Sequence, residues 1–89
     1  MPLPSYQVYA LRNLAGRFCI GMSADVSVRL QQHNLGISLW TRGRGPWALA
    51  WVSAPRELGA ARRLENQLKR QKGGAGFYRL TGLPRASGS

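Results

Sequence analysis

The spacing of hydrophobic residues along the chain changes between the two-residue period of a strand and the 3.6-residue period of a helix. Residues 18–23 alternate Phe, Ile and Met with smaller side chains, and a later segment carries an apolar stripe at positions 60 or 61, 64 and 68. The pattern predicts strands over residues 6–12, 18–23 and 47–52, and helices over residues 26–35 and 56–71.

The first predicted helix has recognisable signals at both ends. Asp25 can cap a helix that begins at Val26, and Gly36 supplies the left-handed residue that commonly closes one. Within it, Arg29 and His33 are four residues apart, so both side chains emerge on the same face. A permanent cation beside a titratable imidazole is suited to handling a phosphate group.

The order of these elements, β-β-α-β-α, predicts an α+β fold in which helices flank a small, three-stranded, mainly antiparallel sheet. Residues 13–16 are expected to form a hairpin loop that places Tyr9 opposite Cys19 or Ile20. We expect a lead-in at residues 1–5, one domain over residues 6–80 and a flexible tail at residues 81–89. Within the domain, residues 77–80 are expected to dock as a short strand or turn.

Net charge is the most informative feature of the composition. The 89 residues include 13 Lys and Arg but only 3 Asp and Glu, which gives a formal charge of +10. Such an excess favours a polyanionic partner, most commonly nucleic acid, although net charge also keeps small proteins soluble. The single cysteine fits a reducing compartment, and no apolar run approaches the ~20 residues that cross a bilayer. We therefore expect a cytoplasmic protein.

Five short motifs follow one another in the order of a known family. The motifs are Val8-Tyr9, Ile20-Gly21, Arg29-Leu30-x-x-His33-Asn34, Thr41-Arg42-x-x-x-Pro46-Trp47 and Ala61-x-x-x-Glu65-x-x-x-Lys69. Together they resemble the small, single-domain branch of the GIY-YIG endonuclease superfamily, and the resemblance covers residues 6–72.

The resemblance implies the GIY-YIG fold and metal-dependent endonuclease cleavage of DNA phosphodiester bonds, with Mg²⁺ or Mn²⁺ as cofactor. It implies that Tyr9, Arg29, His33 and Glu65 are catalytic, and that Glu65 is the metal ligand. The expected substrates are branched or single-stranded DNA in repair or recombination. A second copy of the chain or another protein is an expected source of substrate specificity.

The second motif departs from the family pattern at one position. It keeps Gly21, but Cys19 stands where the family has a tyrosine, so Tyr9 is left as the one motif tyrosine. The thiol is expected to be an inert, partly buried small hydrophobe. The alternative function is therefore a nucleic-acid-binding module that retains the fold without turnover.

Each expected catalytic residue also has an ordinary structural explanation. Arg29 can be a solvated helix arginine, His33 can cap a helix C-terminus, and Tyr9 can simply fill the sheet. Glu65 can form a surface pair with Lys69, which is typically worth only ~0.3–0.5 kcal/mol. The residue pattern alone leaves these explanations open.

The basic loop over residues 36–46 and the second helix are expected to grip the DNA backbone. In the loop, Trp40 can stack on an unpaired base or fold over the core. The expected nucleic-acid contacts are Trp40, Arg42, Arg44, Arg62, Lys69 and Arg70.

Overall fold

One antiparallel sheet with the strand order β2-β1-β3 forms the centre of the molecule. The computed structural model describes residues 5–36, 43–72 and 74–84. The α+β prediction is confirmed, with one helix added after the predicted order. The elements are β1 Gln7–Asn13, β2 Phe18–Ser23, α1 Val26–Asn34, β3 Trp47–Val52, α2 Leu58–Arg70 and α3 Ala75–Thr81.

The β1–β2 hairpin has a different register from the predicted one. Tyr9 pairs with Gly21, not with Cys19 or Ile20, and Cys19 pairs with Leu11. The reason is the loop: Asn13 still belongs to β1, and its N–H donates to the carbonyl of Arg17 at 3.0 Å. Only three residues remain for the turn, which ends on Gly16 at φ +83° as three-residue hairpin loops commonly do.

The alternation of side chains gives the sheet two apolar faces. On one face, buried residues of β1 and β2 pack with α2 and α3, as the contacts of Ala61, Leu68 and Phe77 demonstrate. On the other face, Tyr9, Leu11 and Cys19 pack with Val26 of α1 and with Trp47. α1 therefore covers the face that carries both Tyr9 and Cys19.

The ends of α1 are fixed by polar contacts. The Asp25 carboxylate accepts from the N–H of Val28 at 3.2 Å, and this hydrogen bond lowers the pKa of the exposed carboxyl. At the other end, the Asn34 side chain accepts from Trp47 N at 2.6 Å and donates to Trp47 O at 3.0 Å. The two contacts with Trp47 attach the last turn of α1 to the start of β3.

The C-terminal half differs from prediction at two places. Arg56 exchanges backbone hydrogen bonds with Tyr6 at 2.7 and 2.8 Å, so α2 begins at Leu58 instead of residue 56. Residues 77–80 lie in α3, not in a strand or turn, because Phe77 is buried in the core and Gly82 closes the helix at φ +73°. The predicted domain boundary at residue 80 falls inside α3, whose last residue is buried. In the described part of the chain, none of the helices is both long and apolar enough to traverse a membrane.

Candidate active site

Tyr9 and Gly21 form the floor of the candidate site. They are cross-strand partners, and the Tyr9 side chain is almost fully buried, with only 2% of the residue exposed. A Cβ atom at position 21 would collide with the Tyr9 hydroxyl and lie 2.6 Å from its Cζ. Gly21 is not among the glycines with positive φ, so glycine is required here for space rather than for backbone conformation.

His33 reaches the same point from α1. Its Nε2 lies 3.0 Å from the Tyr9 hydroxyl, and the two rings meet edge to face with centroids 5.9 Å apart. The residue is only 4% exposed, and burial together with the nearby Arg29 charge holds the pKa of the imidazole below its ordinary value. With the neutral ring protonated on Nδ1, the hydroxyl donates to Nε2.

Arg29 supplies a permanent positive charge close to the Tyr9–His33 pair. It lies one turn before His33 on α1, and its charge acts on the pKa values of Tyr9, Cys19 and His33. Its guanidinium donates to Gln32 Oε1 at 3.0 Å, and its proximity favours the ionised form of Tyr9. A guanidinium in this position can donate to the oxygens of a bound phosphate.

The Tyr9 hydroxyl nevertheless stays protonated at neutral pH. Burial raises its pKa most, the charges of Cys19 and Glu65 raise it further, and Arg29 opposes the shift without cancelling it. Tyr9 is therefore a hydrogen-bond donor to His33 in the resting site and not a phenolate.

Glu65 supplies the carboxylate. Its side chain is only 14% exposed, and its Oε2 lies 3.3 Å from the ammonium of Lys69, which is 53% exposed. The ion pair of Glu65 with Lys69, which the sequence offers as the structural explanation, is therefore present. The same carboxylate also raises the pKa of Tyr9. The charge of Glu65 therefore extends to Tyr9, while its direct contact is with Lys69.

Two lysines of the α2 segment complete the electrostatic surroundings. Burial raises the pKa of the Cys19 thiol, while Lys72, Lys69 and Arg29 oppose this shift. Lys72 is not among the site residues that the sequence predicts. It follows the last helical residue, Arg70, so the periodicity of α2 does not indicate its position.

The structure brings together the six motif positions predicted from the sequence. Tyr9 and His33 are in direct contact, the charges of Arg29 and Glu65 act on Tyr9, and Cys19 and Gly21 lie on the neighbouring strand. The predicted DNA contacts are more dispersed. On α2, Lys69 pairs with Glu65, and Arg62 and Arg70 are exposed. Arg44 lies beside Asn13 at the turn of the β1–β2 hairpin. Trp40 and Arg42 lie outside the described residues.

The imidazole of His33 is expected to titrate below 6.5 and to be neutral at pH 7. The unfolded chain takes up this proton at a higher pH than the folded chain. The free energy of unfolding is therefore unaffected by His33 above pH 6.5 and decreases as the pH falls toward the folded pKa. The protein has one histidine, so an NMR titration of its ring protons measures this pKa without ambiguity.

A matched pair of substitutions separates the two causes of the His33 shift. Arg29→Gln is expected to raise the pKa of His33 only partway toward 6.5, because burial is the larger cause. Arg63→Gln removes an exposed charge on α2 and is expected to leave it unchanged. A pKa at or above 6.5 in the wild-type protein would contradict the described geometry.

Known proteins support the assignment of the fold. The GIY-YIG catalytic domain family matches residues 5–77. UPF0213 proteins of Aeromonas hydrophila and Aeromonas salmonicida are 44% and 41% identical over 71 residues, which is 79% of this chain and 52% of each relative. A UPF0213 protein of Serratia proteamaculans is 35% identical over 75% of this chain and 67% of its own length.

The chain spans about half the length of the two Aeromonas relatives. No solved structure matches it significantly. The domain match covers the sheet, α1, α2 and every residue of the candidate site. The protein therefore belongs to the GIY-YIG family.

Proposed function

We propose that this protein is a metal-dependent endonuclease that hydrolyses phosphodiester bonds in DNA. The observation that carries the proposal is the 3.0 Å hydrogen bond between the Tyr9 hydroxyl and His33 Nε2, at a point also reached by the charges of Arg29 and Glu65. Three different elements, β1, α1 and α2, contribute to this one cluster, and the family to which the chain belongs is a nuclease family. Phosphodiester hydrolysis needs the groups that the cluster offers: a proton acceptor, a permanent cation and a carboxylate.

The Tyr9–His33 pair is suited to activating water. A water molecule bound at the Tyr9 oxygen can transfer its proton to that oxygen while the tyrosine proton moves to His33 Nε2. The raised pKa of Tyr9 does not obstruct this transfer, because no free phenolate forms. The lowered pKa of His33 keeps Nε2 available as the acceptor at neutral pH.

The cations around the pair are suited to the phosphate. The guanidinium of Arg29 can donate two parallel hydrogen bonds to non-bridging oxygens and stabilise the charge that develops on them. The positive charges of Lys69 and Lys72 act on the Cys19 thiol and can attract the same phosphate or its neighbour. These contacts orient the substrate without reading its sequence.

The donor set fits a single magnesium or manganese ion. Among the described residues, no three His, Cys, Asp or Glu side chains cluster as a metal cage, and Glu65 is the carboxylate at the site. Mg²⁺ is commonly held by one or two carboxylates, with waters and substrate phosphate in its remaining positions. When bound by Glu65, the ion would polarise the phosphate and stabilise the leaving oxygen.

The wider surface supports DNA as the substrate. The formal charge of +10 attracts a polyanion, and Arg62 and Arg70 lie exposed on α2, the helix that carries Glu65. Backbone contacts of this kind favour substrates chosen by shape. We therefore extend the proposal to branched or single-stranded DNA formed in repair or recombination.

Cys19 favours a second candidate function. Its thiol occupies the position of a motif tyrosine, is buried and has a raised pKa, so it supplies neither a hydroxyl nor a thiolate to the site. A protein with this change and with the same basic surface would bind nucleic acid without cutting it.

Cleavage assays on two Cys19 variants separate the candidates. We expect the wild-type protein to cut labelled branched or single-stranded DNA with Mg²⁺ or Mn²⁺. Cys19→Ser, which keeps the side-chain volume, is expected to cut at a similar rate because the thiol has no part in the reaction. Cleavage by Cys19→Tyr alone, with wild-type binding intact, would favour the non-catalytic binder. Thermal unfolding of each variant checks that the buried position accepts the larger ring.

A further inference from the structure

The turn of the β1–β2 hairpin forms a groove with the segment that leads into β3. This open groove of about 360 Å³ plays no part in the chemistry described above. The residues that line it share a position at the hairpin end of the sheet, and two of them are arginines: Asn13, Leu14, Ala15, Arg17, Gly43, Arg44 and Gly45.

The side chain of Asn13 fixes both arginine-bearing segments at once. Its Oδ1 accepts from the backbone N–H of Arg17 at 2.9 Å, and its Nδ2 donates to the carbonyl of Arg44 at 3.0 Å. Its own backbone N–H adds a third contact by donating to Arg17 O at 3.0 Å. One amide therefore fixes the spacing between the two backbones that present the guanidinium groups.

The groove is positively charged and open to a large ligand. Arg17 and Arg44 are both exposed, and none of the residues that line the groove is acidic. Two guanidinium groups carried on backbones held at a fixed spacing are suited to successive or facing phosphates, since each can donate in a bidentate manner. Extended polyanions, rather than isolated small anions, fit an open groove of this kind.

The groove lies at the turn end of the hairpin whose strands carry Tyr9 and Gly21. Arg17 precedes Gly21 by four residues on the β2 side of the hairpin, which corresponds to roughly 13 Å along an extended strand. Along the axis of a DNA duplex one strand advances ~3.4 Å per nucleotide, so a separation of this size parallel to the axis is about four nucleotide steps. A backbone bound at Tyr9 and Arg29 can therefore continue into the groove.

We propose that this groove is a second DNA-backbone subsite, in which Arg17 and Arg44 bind phosphates a few nucleotides from the scissile one and Asn13 positions them. The proposal rests on the proposed DNA-cleaving function for the identity of its ligand. It adds a site that is separate from Tyr9, Arg29, His33 and Glu65, and it predicts that substrates must extend several nucleotides to one side of the cut.

The test is the salt dependence of DNA binding, measured by fluorescence anisotropy with a labelled 16-base-pair duplex in EDTA, where metal-dependent cutting is suppressed. Each phosphate contact contributes about −0.9 to the slope of log K against log salt, so Arg17→Gln/Arg44→Gln is expected to reduce the slope by about 1.8. Between 50 and 200 mM salt, the wild-type protein then loses roughly twelvefold more affinity than the variant. The charge-matched control is Arg56→Gln/Arg79→Gln, two exposed positions away from the hairpin turn, and its slope is expected to equal that of the wild type.

Asn13→Ala tests the positioning role separately. It keeps both charges and is expected to weaken binding about threefold to tenfold, as releasing ordered side chains commonly does. In the Arg17→Gln/Arg44→Gln background the same substitution is expected to have no further effect on DNA affinity, whereas a purely structural role would give the same loss in both backgrounds. Thermal unfolding confirms that each variant is folded.

The outcomes distinguish this proposal from the proposed function. An unchanged slope in Arg17→Gln/Arg44→Gln, or an equal reduction in the control, would overturn the subsite while leaving the nuclease proposal intact if the wild type still cuts DNA. A wild-type protein that binds neither the duplex nor labelled branched or single-stranded DNA would overturn both.

Discussion

Glu65→Gln is expected to lower the rate of metal-dependent DNA cleavage by about a thousandfold. The substitution keeps the size and polarity of the side chain but removes the one carboxylate whose charge reaches Tyr9 among the described residues. A bound metal contributes several kcal/mol to the stabilisation of transition-state charge, and each 1.36 kcal/mol corresponds to a factor of about ten in rate. Single-turnover cleavage at saturating protein measures the effect on the chemical step.

Two further readouts show whether Glu65 acts as the metal ligand. The affinity of the DNA-free protein for Mn²⁺, measured by electron paramagnetic resonance, is expected to fall in Glu65→Gln, whereas DNA affinity stays equal or rises because a negative charge is lost. Glu57→Gln is the matched control: Glu57 precedes α2, is exposed and lies outside the site, so both Mn²⁺ affinity and cleavage are expected to remain normal. Equal cleavage by Glu65→Gln and wild type would contradict the assigned ligand.

Gly21→Ala is expected to reduce cleavage about a hundredfold and to destabilise the fold by about 1–3 kcal/mol. The new Cβ would lie 2.6 Å from Tyr9 Cζ, so the ring must leave its place over the strand and its hydroxyl must move away from His33. Forcing an extra methyl group into a packed site typically costs this much stability, and a 1 Å displacement of a reacting group can cost about a hundredfold in rate. Urea unfolding and single-turnover cleavage measure the two effects.

Gly59→Ala serves as the control for this prediction. Gly59 lies in α2, where a Cβ would meet only the flexible ends of the Glu57 and Arg63 side chains. Alanine is the better helix former by ~1 kcal/mol, so this variant is expected to be as stable as the wild type or more stable, with unchanged cleavage. If Gly21→Ala were as stable and as active as the wild type, this result would contradict the close packing of Tyr9 against β2.

Much of the fold follows from local sequence signals. The Asp25 cap and the spacing of Arg29 and His33 correctly predict where α1 begins and which side chains share a face. The apolar run of β3 likewise predicts its bounds, residues 47–52. In each case the controlling interactions lie within a few residues of the chain, which is the range that a pattern can report.

The rest depends on contacts between distant parts of the chain. Pairing of Tyr9 with Gly21 is set by where the hairpin loop begins, and a difference of a residue or two in the loop changes the partner of every residue in β1. Residues 77–80 carry too short a pattern to distinguish strand from helix, and the burial of Phe77 against the sheet determines the outcome. The interaction between the predicted catalytic residues is likewise a product of tertiary packing: Tyr9 and His33 are 24 residues apart in sequence.

The most direct test of the central claim is cleavage of a labelled branched DNA by the wild-type protein, measured with Mg²⁺ and again in excess EDTA. We predict cutting with the metal, none in EDTA, and none above background for Glu65→Gln at equal DNA occupancy. Occupancy of the DNA by wild-type protein without any metal-dependent cutting would contradict the claim that Tyr9, Arg29, His33 and Glu65 form a working hydrolytic centre.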